Sequence, residues 1–248
     1  MIKIINPILE NLKVLRNLIY PRHIKCIFCG EEIKELNSYD ACEKCLKSLP
    51  FIIKDFCPRC GLQMPTDSVG VCMNCKTKNY NFDYARSVFT YNDLVKHAIH
   101  KMKISSAKYI AEPLAQSLFY YFKTLDWKID FVTYIPIHSQ RLKFRGYNQS
   151  KELATHFSNL TNIPIIECFE KIKNTPNQTS LSGKERQNNL KDAFKLIHSD
   201  VKDKNILIID DIFTTGATSN EVSKLLRNKN ANKIYVLTVA HTQNQKDL

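Results

Sequence analysis

The sequence predicts an α/β fold, in which an open and mostly parallel sheet follows a small cysteine-rich module. Over residues 81–248, short runs of branched apolar residues alternate with segments of helical periodicity, as in a parallel sheet covered by helices on both faces. Over residues 26–80, eight of the nine cysteines recur in C-x-x-C pairs. Residues 1–25 form a third segment, where apolar positions at helical spacing predict an amphipathic helix.

The N-terminal segment, residues 1–25, bears on the cellular location of the protein. Glu10, Lys13 and Arg16 interrupt its apolar stripe and no small-residue cleavage site follows, so we read neither a signal peptide nor a transmembrane span. We therefore expect a cytoplasmic protein, in which reducing conditions favour metal-bound over cross-linked cysteines. The basic amphipathic character also suits the inner face of the membrane, although packing against the rest of the protein is the simpler interpretation.

The cysteine pairs form a metal-binding pattern. Two thiolates of a C-x-x-C turn bind one side of a tetrahedral Zn²⁺ and a second pair completes the site, so the pairs predict two structural zinc ions in a double zinc ribbon. The pattern repeats after about 30 residues, as in a duplicated unit, which favours sequential ligation; the spacing leaves a cross-braced arrangement open. The predicted ligands are Cys26, Cys29, Cys42, Cys45, Cys57, Cys60, Cys72 and Cys75.

The charge distribution suggests where anions bind. The formal net charge is +12, and a basic chain tends to bind anions. Residues 26–75 contain more acidic than basic side chains, so a nucleic-acid surface would lie mainly on the C-terminal domain or the N-terminal helix. Cys168 stands apart in an apolar run and is predicted to be a small buried residue.

The C-terminal domain is predicted element by element. Branched and apolar runs predict strands at ARSVFTY, IDFVTYI, PIIECFEKI, NILII and KIYVLTVAHT. Helical spacing predicts helices at DLVKHAIHKM, YIAEPLAQSLFYYF, GYNQSKELATHFSNL and SNEVSKLLRN. Ligands of such sheets bind beyond the carboxyl ends of the strands, so the residues that follow each strand are the candidates for a site.

Two carboxylates and a threonine-rich turn follow NILII. A strand, a short loop and a helix N-terminus form an anion site, yet Asp210 and Asp211 would repel an anion unless a neutral group with donors lay between. A ribose 5′-phosphate meets this condition. A capping box of Thr218 with Glu221 is the purely structural alternative, and an ATPase interpretation fails because no G-x-x-x-x-G-K-[ST] loop is present. The predicted turn residues are Thr214, Thr215, Gly216, Ala217 and Thr218.

Cations follow the strand that ends at Pro136. Arg141, Lys143 and Arg145 lie just beyond it, where they would bind a pyrophosphate or form a solvated surface. A polar segment, NTPNQTSLSGKERQNNLKDAF, lies between regular elements and is typical of a mobile active-site loop.

Three motifs resemble known families. ILIIDDIFTTGAT resembles the phosphoribosyl pyrophosphate motif of type I phosphoribosyltransferases. The pattern P-x4-R-x3-RGYNQ, together with the double zinc ribbon, resembles the ComF family of competence-associated proteins. The polar segment resembles the same family at Gln178, Leu181, Arg186, Asn189 and Phe194.

The resemblance implies a function for each motif. It implies a type I phosphoribosyltransferase-like sheet in which Asp210 and Asp211 bind the ribose hydroxyls and the T-T-G-A-T turn binds the 5′-phosphate. Mg²⁺ would accompany phosphoribosyl pyrophosphate, and Lys184 or Arg186 would meet the phosphates as the loop closes. Where a glycine is expected after HKMK, this chain has Ile104, Ser105 and Ser106, so the sequence gives no basis for a contact from Lys103.

Three functions stay open. The first is a phosphoribosyltransferase, in which Asp210 and Asp211 stabilise the ribose and Arg141 and Arg145 hold the departing pyrophosphate; the sequence identifies no acceptor. The second is a non-catalytic module for single-stranded DNA, in which the pocket senses or anchors its ligand. The third is an assembly role, with the ribbons docking a helicase or another competence protein. The second would use Tyr109, Phe144 and Tyr147 for base stacking.

Overall fold

A computed structural model of the protein describes residues 24–35, 37–175, 190–198 and 200–243. Nearly all of the amphipathic helix predicted for residues 1–25 lies outside these ranges. Within them, no helix combines the length and the apolar character that crossing a membrane requires. The strands are β1 (Tyr84–Thr90), β2 (Phe131–Tyr134), β3 (Phe169–Lys171), β4 (Phe194–Leu196), β5 (Asn205–Phe213) and β6 (Lys233–His241).

The main sheet is open and parallel, as predicted. Its strand order is β1-β6-β5-β2, and each neighbouring pair is parallel. Helices connect the strands, and the four predicted helices begin and end close to the predicted residues. The helix Ser139–Arg145 was not predicted, and a 3₁₀ turn at Ser105–Ile110 precedes the fourth helix. The α-helices are α1 (Glu43–Ser48), α2 (Met73–Thr77), α3 (Asp93–Met102), α4 (Ala111–Phe122), α5 (Ser139–Arg145), α6 (Gln149–Thr161) and α7 (Ala217–Arg227).

The segment PIIECFEKI differs from its prediction as a single strand. Ile165 forms one parallel bridge with Val132, and the chain then leaves β2 to pair with β4 as the short antiparallel strand β3. The chain leaves β2 because its hydrogen-bond partner changes: the Cys168 carbonyl accepts from Ile197 N–H at 2.9 Å. Cys168 itself is fully buried, as predicted, and burial raises the pKa of its thiol to about 11.

The sheet has an apolar core on each face, and the cysteine-rich module contributes to both. Alternate residues of β5 face opposite sides, so that Leu207 and Ile209 enter one core and Ile206 and Ile208 enter the other. Buried cysteines near the N-terminus, such as Cys26, belong to the first core. The later cysteines belong to the second core, with Phe82, Phe213 and Val222. The module is therefore integrated into the domain rather than tethered to it.

Residues 50–61 run along the outer edge of β1. Ile52 N–H donates to the Val88 carbonyl at 2.9 Å, and Thr90 N–H donates to the Pro50 carbonyl at 2.8 Å. Further along, Ala85 N–H donates to the Arg59 carbonyl at 2.7 Å. These bonds cover backbone groups that an exposed edge strand would leave open to another chain.

Gly61 lies where this edge segment approaches β1 most closely. Its φ is +73°, and a Cβ there would lie 2.7 Å from the Ala85 carbonyl oxygen. We expect Gly61→Ala to lower the free energy of unfolding by about 2 kcal/mol, because the left-handed backbone and the clash both oppose a side chain. The matched control is Gly70→Ala, since Gly70 has a φ of +83° with open space around it and should cost about 1 kcal/mol. If urea unfolding of the two zinc-loaded variants gave equal losses of unfolding free energy, the close approach of Gly61 to β1 would be contradicted.

Candidate functional site

The cysteine pairs form two four-thiol clusters within the described residues. The first cysteine cluster is Cys26, Cys29, Cys42 and Cys45, and the second cysteine cluster is Cys57, Cys60, Cys72 and Cys75. In each cluster the Sγ atoms lie within 4.8 Å of one another. The pairs therefore group sequentially, first with second and third with fourth, which fits sequential rather than cross-braced ligation. Four cysteine sulfurs in this arrangement fit a closed structural Zn²⁺ site.

The two clusters differ in their access to solvent. In the first cluster, Cys29 is exposed and Cys42 is half-buried. In the second cluster every cysteine is buried, and Cys57 has no exposed surface. A chelator or an oxidant therefore reaches the first cluster more easily than the second.

The two acids lie in the C-terminal half of β5, because this strand continues past the predicted NILII and ends at Phe213. Asp210 Oδ1 accepts from Ser150 Oγ at 2.7 Å and from the backbone N–H of Asp211 at 2.9 Å. Asp211 Oδ2 lies 3.0 Å from Lys103 Nζ. Both acids are half-buried, so the site presents two neighbouring carboxylates in different local environments.

These environments move the two pKa values in opposite directions. Burial and then the negative charge of Asp211 raise the pKa of Asp210 to about 7, although the bond from Ser150 opposes the shift. Burial also acts to raise the pKa of Asp211, but the charge and hydrogen bond of Lys103 outweigh it and lower that pKa. At neutral pH Asp211 is therefore ionised, and Asp210 is close to its titration point.

Lys103 corrects an expectation from the sequence. The missing glycine after HKMK gave no basis for a contact, yet Lys103 forms the ion pair with Asp211 and its side chain is 31% exposed. The contact forms because Lys103 is the C-cap of α3 and α3 ends beside the acids. Burial acts to lower the pKa of Lys103, but the negative charge of Asp211 raises it overall.

The GYNQS stretch holds several elements of the site together. Gly146 ends α5 with a φ of +85°, and the Tyr147 hydroxyl donates to the backbone carbonyls of Met102 and Ile104 at the end of α3. Tyr147 is therefore buried, and its predicted part in base stacking is wrong. By contrast, Phe144 is 93% exposed and Tyr109 is also exposed.

Asn148 and Ser150, which follow Tyr147, connect the GYNQS stretch to the acid pair. The Asn148 amide Nδ2 donates to the Ile135 carbonyl at 2.9 Å, at the end of β2. The Asn148 side-chain oxygen accepts from Ser150 N–H at 3.0 Å and so caps α6. This cap fixes Ser150 at the position from which its hydroxyl reaches Asp210.

Cations surround the acid pair. Burial and the charge of Arg141 lower the pKa of Arg145, while the negative charge of Asp211 opposes this shift. Burial and the same Arg141 charge lower the pKa of Lys171 to about 8, opposed by Asp210. The positive charges of Arg141, Arg145 and Lys171 therefore repel one another near the acids, and a bound polyanion would reduce this repulsion.

The turn of residues 214–218, here called the threonine turn, leads into α7. Gly216 is the N-cap of α7, with a φ of +70°, so Thr218 lies inside the first turn and the predicted capping box with Glu221 is wrong. The left-handed conformation of Gly216 places the helix start two residues earlier than that box requires. Thr215 Oγ1 is buried and makes no hydrogen bond within the described part of the chain. A buried hydroxyl without a partner normally marks the place of a ligand or a water.

The structure brings together most of the predicted site. Asp210, Asp211, Arg141 and Arg145 belong to one charged cluster, and the threonine turn follows directly on β5. Lys184 and Arg186 lie outside the described residues. Sequence reasoning missed Ser150 and Lys171 and did not anticipate Lys103. Ser150 directly follows the GYNQ motif, and Lys171 lies at the end of a predicted strand, which are the signals that point to them.

Comparison with known families agrees with this architecture. Residues 15–76 match the double zinc ribbon domain, and residues 145–247 match the phosphoribosyl transferase domain. The fold and the site therefore define a protein with a double zinc ribbon followed by a phosphoribosyltransferase-type domain.

Curated relatives are similar to this chain over most of its length. Competence protein F of Haemophilus influenzae is 29% identical over 228 residues, which is 88% of this chain and 97% of that protein. DNA utilization protein YhgH of Escherichia coli K12 is 30% identical over 195 residues, 76% of this chain and 85% of that protein. Competence protein ComFC of Streptococcus pneumoniae is 28% identical, covering 85% and 97%. The chain belongs to this ComF family.

Proposed function

We propose that this protein binds phosphoribosyl pyrophosphate, or a related phosphoribosyl ligand, and acts in the handling of incoming DNA during natural competence. One observation carries the ligand assignment: two half-buried carboxylates lie in β5, and the turn that directly follows this strand has a buried hydroxyl, that of Thr215, with no partner among the described residues. The role in competence rests on the names of the relatives, which refer to competence and to DNA utilization.

The ligand fits the charges in one orientation. The ribose hydroxyls would donate to Asp210 and Asp211, whose carboxylates accept hydrogen bonds. The 5′-phosphate would lie in the threonine turn, beside Thr215 Oγ1 and the N-terminus of α7, where the helix dipole favours negative charge. The pyrophosphate would lie against Arg141 and Arg145, which relieves the repulsion between them.

Mg²⁺ suits the same place. The Asp210 and Asp211 carboxylates are hard oxygen donors of the kind that Mg²⁺ accepts, alongside phosphate oxygens of a ligand. When bound, the metal would supply positive charge that neutralises the pyrophosphate. Whether or not the metal is bound, the positive charges of Arg141, Arg145 and Lys171 would stabilise the pyrophosphate.

In a transferase, these residues would act at the bond between ribose and pyrophosphate. Asp210 and Asp211 would stabilise the positive charge that develops on the ribose, and Arg141 with Arg145 would hold the departing pyrophosphate. Lys103 keeps Asp211 ionised and oriented for this purpose. A binding module would need the same contacts without an acceptor.

Calorimetric titration with phosphoribosyl pyrophosphate and Mg²⁺ tests the proposal. The double variant Asp210→Asn/Asp211→Asn should weaken binding by about 100-fold, because two charge-assisted hydrogen bonds each lose part of their strength. Asp126→Asn is the control, since Asp126 is an exposed carboxylate outside the site. Failure of the wild-type protein to bind the ligand would refute the proposal. Assay of released pyrophosphate with candidate acceptors then distinguishes a transferase from a binding module.

Direct binding of single-stranded DNA is a second candidate function, favoured by the surface of α5. Phe144 is 93% exposed and lies between Lys143 and Arg145, which is an arrangement suited to stacking a base beside a phosphate. Phe144→Ala should weaken binding of an oligonucleotide by about 10-fold and leave phosphoribosyl pyrophosphate affinity unchanged. The Asp210→Asn/Asp211→Asn variant should weaken the binding of phosphoribosyl pyrophosphate and leave oligonucleotide binding unchanged. If Phe144→Ala left the affinity for the oligonucleotide unchanged, the proposal that the α5 surface binds DNA would be wrong.

A further inference from the structure

Tyr80 connects the second cysteine cluster to the threonine turn. Its hydroxyl donates to the Thr215 carbonyl at 3.1 Å. Its own carbonyl accepts from Arg59 Nη2 at 2.8 Å, and Arg59 lies in the C-x-x-C loop between Cys57 and Cys60. A single residue therefore spans the distance between a metal-binding loop and a turn that lies 135 residues away in sequence.

The bond to Thr215 also orients the neighbouring peptide. Because the peptide unit is planar and trans, a carbonyl and the following N–H point in opposite directions. When the Thr215 carbonyl points to Tyr80, the Gly216 N–H therefore points away from it. The N–H thus becomes a donor on the side of the turn opposite to Tyr80.

The Tyr80 ring supports the turn from behind. A Cβ added to Gly216 would lie 2.9 Å from Tyr80 Cε1 and 2.7 Å from Phe213 Cζ, so the rings leave no room for the turn to shift towards them. Tyr80 is itself buried and stacks on Phe82 with ring centroids 4.6 Å apart. The turn has a rigid aromatic backing that belongs to the same core as the second cysteine cluster.

The next residue makes a separate tie to α7. The backbone N–H of Asn81 donates to Asn220 Oδ1 at 2.7 Å, and the Asn81 side-chain amide donates to the same oxygen at 2.9 Å. Asn220 lies on the first turns of α7, whose N–H groups face the anion position. The linker after the second cluster therefore fixes both the turn and the helix that follows it.

We propose that Tyr80 is a positioning residue that couples zinc in the second cysteine cluster to the binding of a phosphorylated ligand in the threonine turn. The inference rests on the proposed phosphoribosyl site. Zinc holds the C-x-x-C loop, Arg59 of that loop holds the Tyr80 backbone, and Tyr80 holds the turn in its anion-binding conformation. By reciprocity of linked equilibria, a ligand in the turn stabilises zinc in the second cluster to the same degree.

Tyr80→Phe tests this coupling, because it removes the hydroxyl and keeps the ring. The variant should retain two zinc ions per chain and bind phosphoribosyl pyrophosphate with Mg²⁺ about 5- to 20-fold more weakly, the effect of one lost hydrogen bond. The matched control is Tyr120→Phe, which removes a hydroxyl bond to Ser38 Oγ near the first cluster and should bind the ligand as the wild type does.

The second readout is zinc retention. In the wild-type protein, the ligand should slow the loss of the last zinc equivalent to a chelator, and in Tyr80→Phe this protection should disappear. Unchanged ligand affinity in Tyr80→Phe, or protection that persists in it, would overturn the coupling alone. No binding by the wild type would overturn the proposed function and this inference with it. If Tyr80→Phe loses its fold, Arg59→Gln breaks the same connection from the zinc side and must weaken both affinity and protection.

Discussion

Replacing Cys60 with Ser is expected to destabilise the whole protein by about 5 kcal/mol, lowering its melting temperature by roughly 10–20 °C. Cys60 is 3% exposed and shares a core with Phe82, Phe213 and Val222 on one face of the sheet. Loss of zinc there would leave the remaining thiols buried without their metal, and the core of that face would lose its support. Thermal unfolding followed by circular dichroism, together with a zinc assay, measures the effect.

Cys29→Ser is the matched comparison. Cys29 belongs to the first cysteine cluster and is exposed, so that water can replace its contacts when the metal is lost. We expect about half the loss of stability seen for Cys60→Ser, with zinc content reduced by one ion per chain. Equal destabilisation by the two substitutions would show that burial of the second cluster in the sheet core does not carry the difference.

Asp210→Asn is expected to stabilise the protein at pH 8 by about 4 kcal/mol in the absence of ligand. Burial and Asp211 raise the Asp210 pKa from 3.8 to about 7 in the folded state. Between these values the folded protein holds a proton that the unfolded chain has released. Stability therefore falls as pH rises to about 7 and then levels off. Asparagine still accepts from Ser150 and carries no charge, so it avoids this loss.

The pH profile supplies the decisive measurement. The gain from Asp210→Asn in urea unfolding should be about half as large at pH 5.5 as at pH 8. Asp83→Asn should show the opposite sign. Burial acts to raise the pKa of Asp83, but the bonds from Ile234 N–H and Arg227 lower it, and it lies 2.7 Å from Arg227. Its carboxylate thus contributes stability at high pH that is lost on acidification. An Asp210→Asn gain that did not grow with pH would contradict the raised pKa.

Local patterns predicted the elements and the metal ligands well. C-x-x-C spacing reports a short turn, and alternation of branched apolar residues with helical segments reports a covered sheet, because both depend on neighbours in sequence. The same holds for the strand, turn and helix around Asp210 and Asp211. Sequential ligation was favoured by the repeat, and the distances between thiols fit it rather than the cross-braced arrangement.

Contacts between distant segments escaped sequence reasoning. Lys103 meets Asp211 and Tyr80 meets Thr215 across more than 100 residues, and no local spacing encodes either meeting. The capping box at Thr218 failed for a different reason. Its residue types are right, but Gly216 adopts a left-handed conformation and begins the helix first. Tyr147 likewise looked exposed beside its basic neighbours and is instead buried against the end of α3.

The segment that covers the edge of β1 ties the protein's abundance to metal supply. Residues 50–61 follow the first cysteine cluster and include Cys57 and Cys60 of the second, so a newly made chain that lacks zinc cannot hold them along the strand. Such a chain would present a bare strand edge and incompletely covered apolar faces, which are the features that promote aggregation and degradation. Cells starved of zinc should therefore contain less of this protein, through faster turnover of immature chains rather than through reduced synthesis.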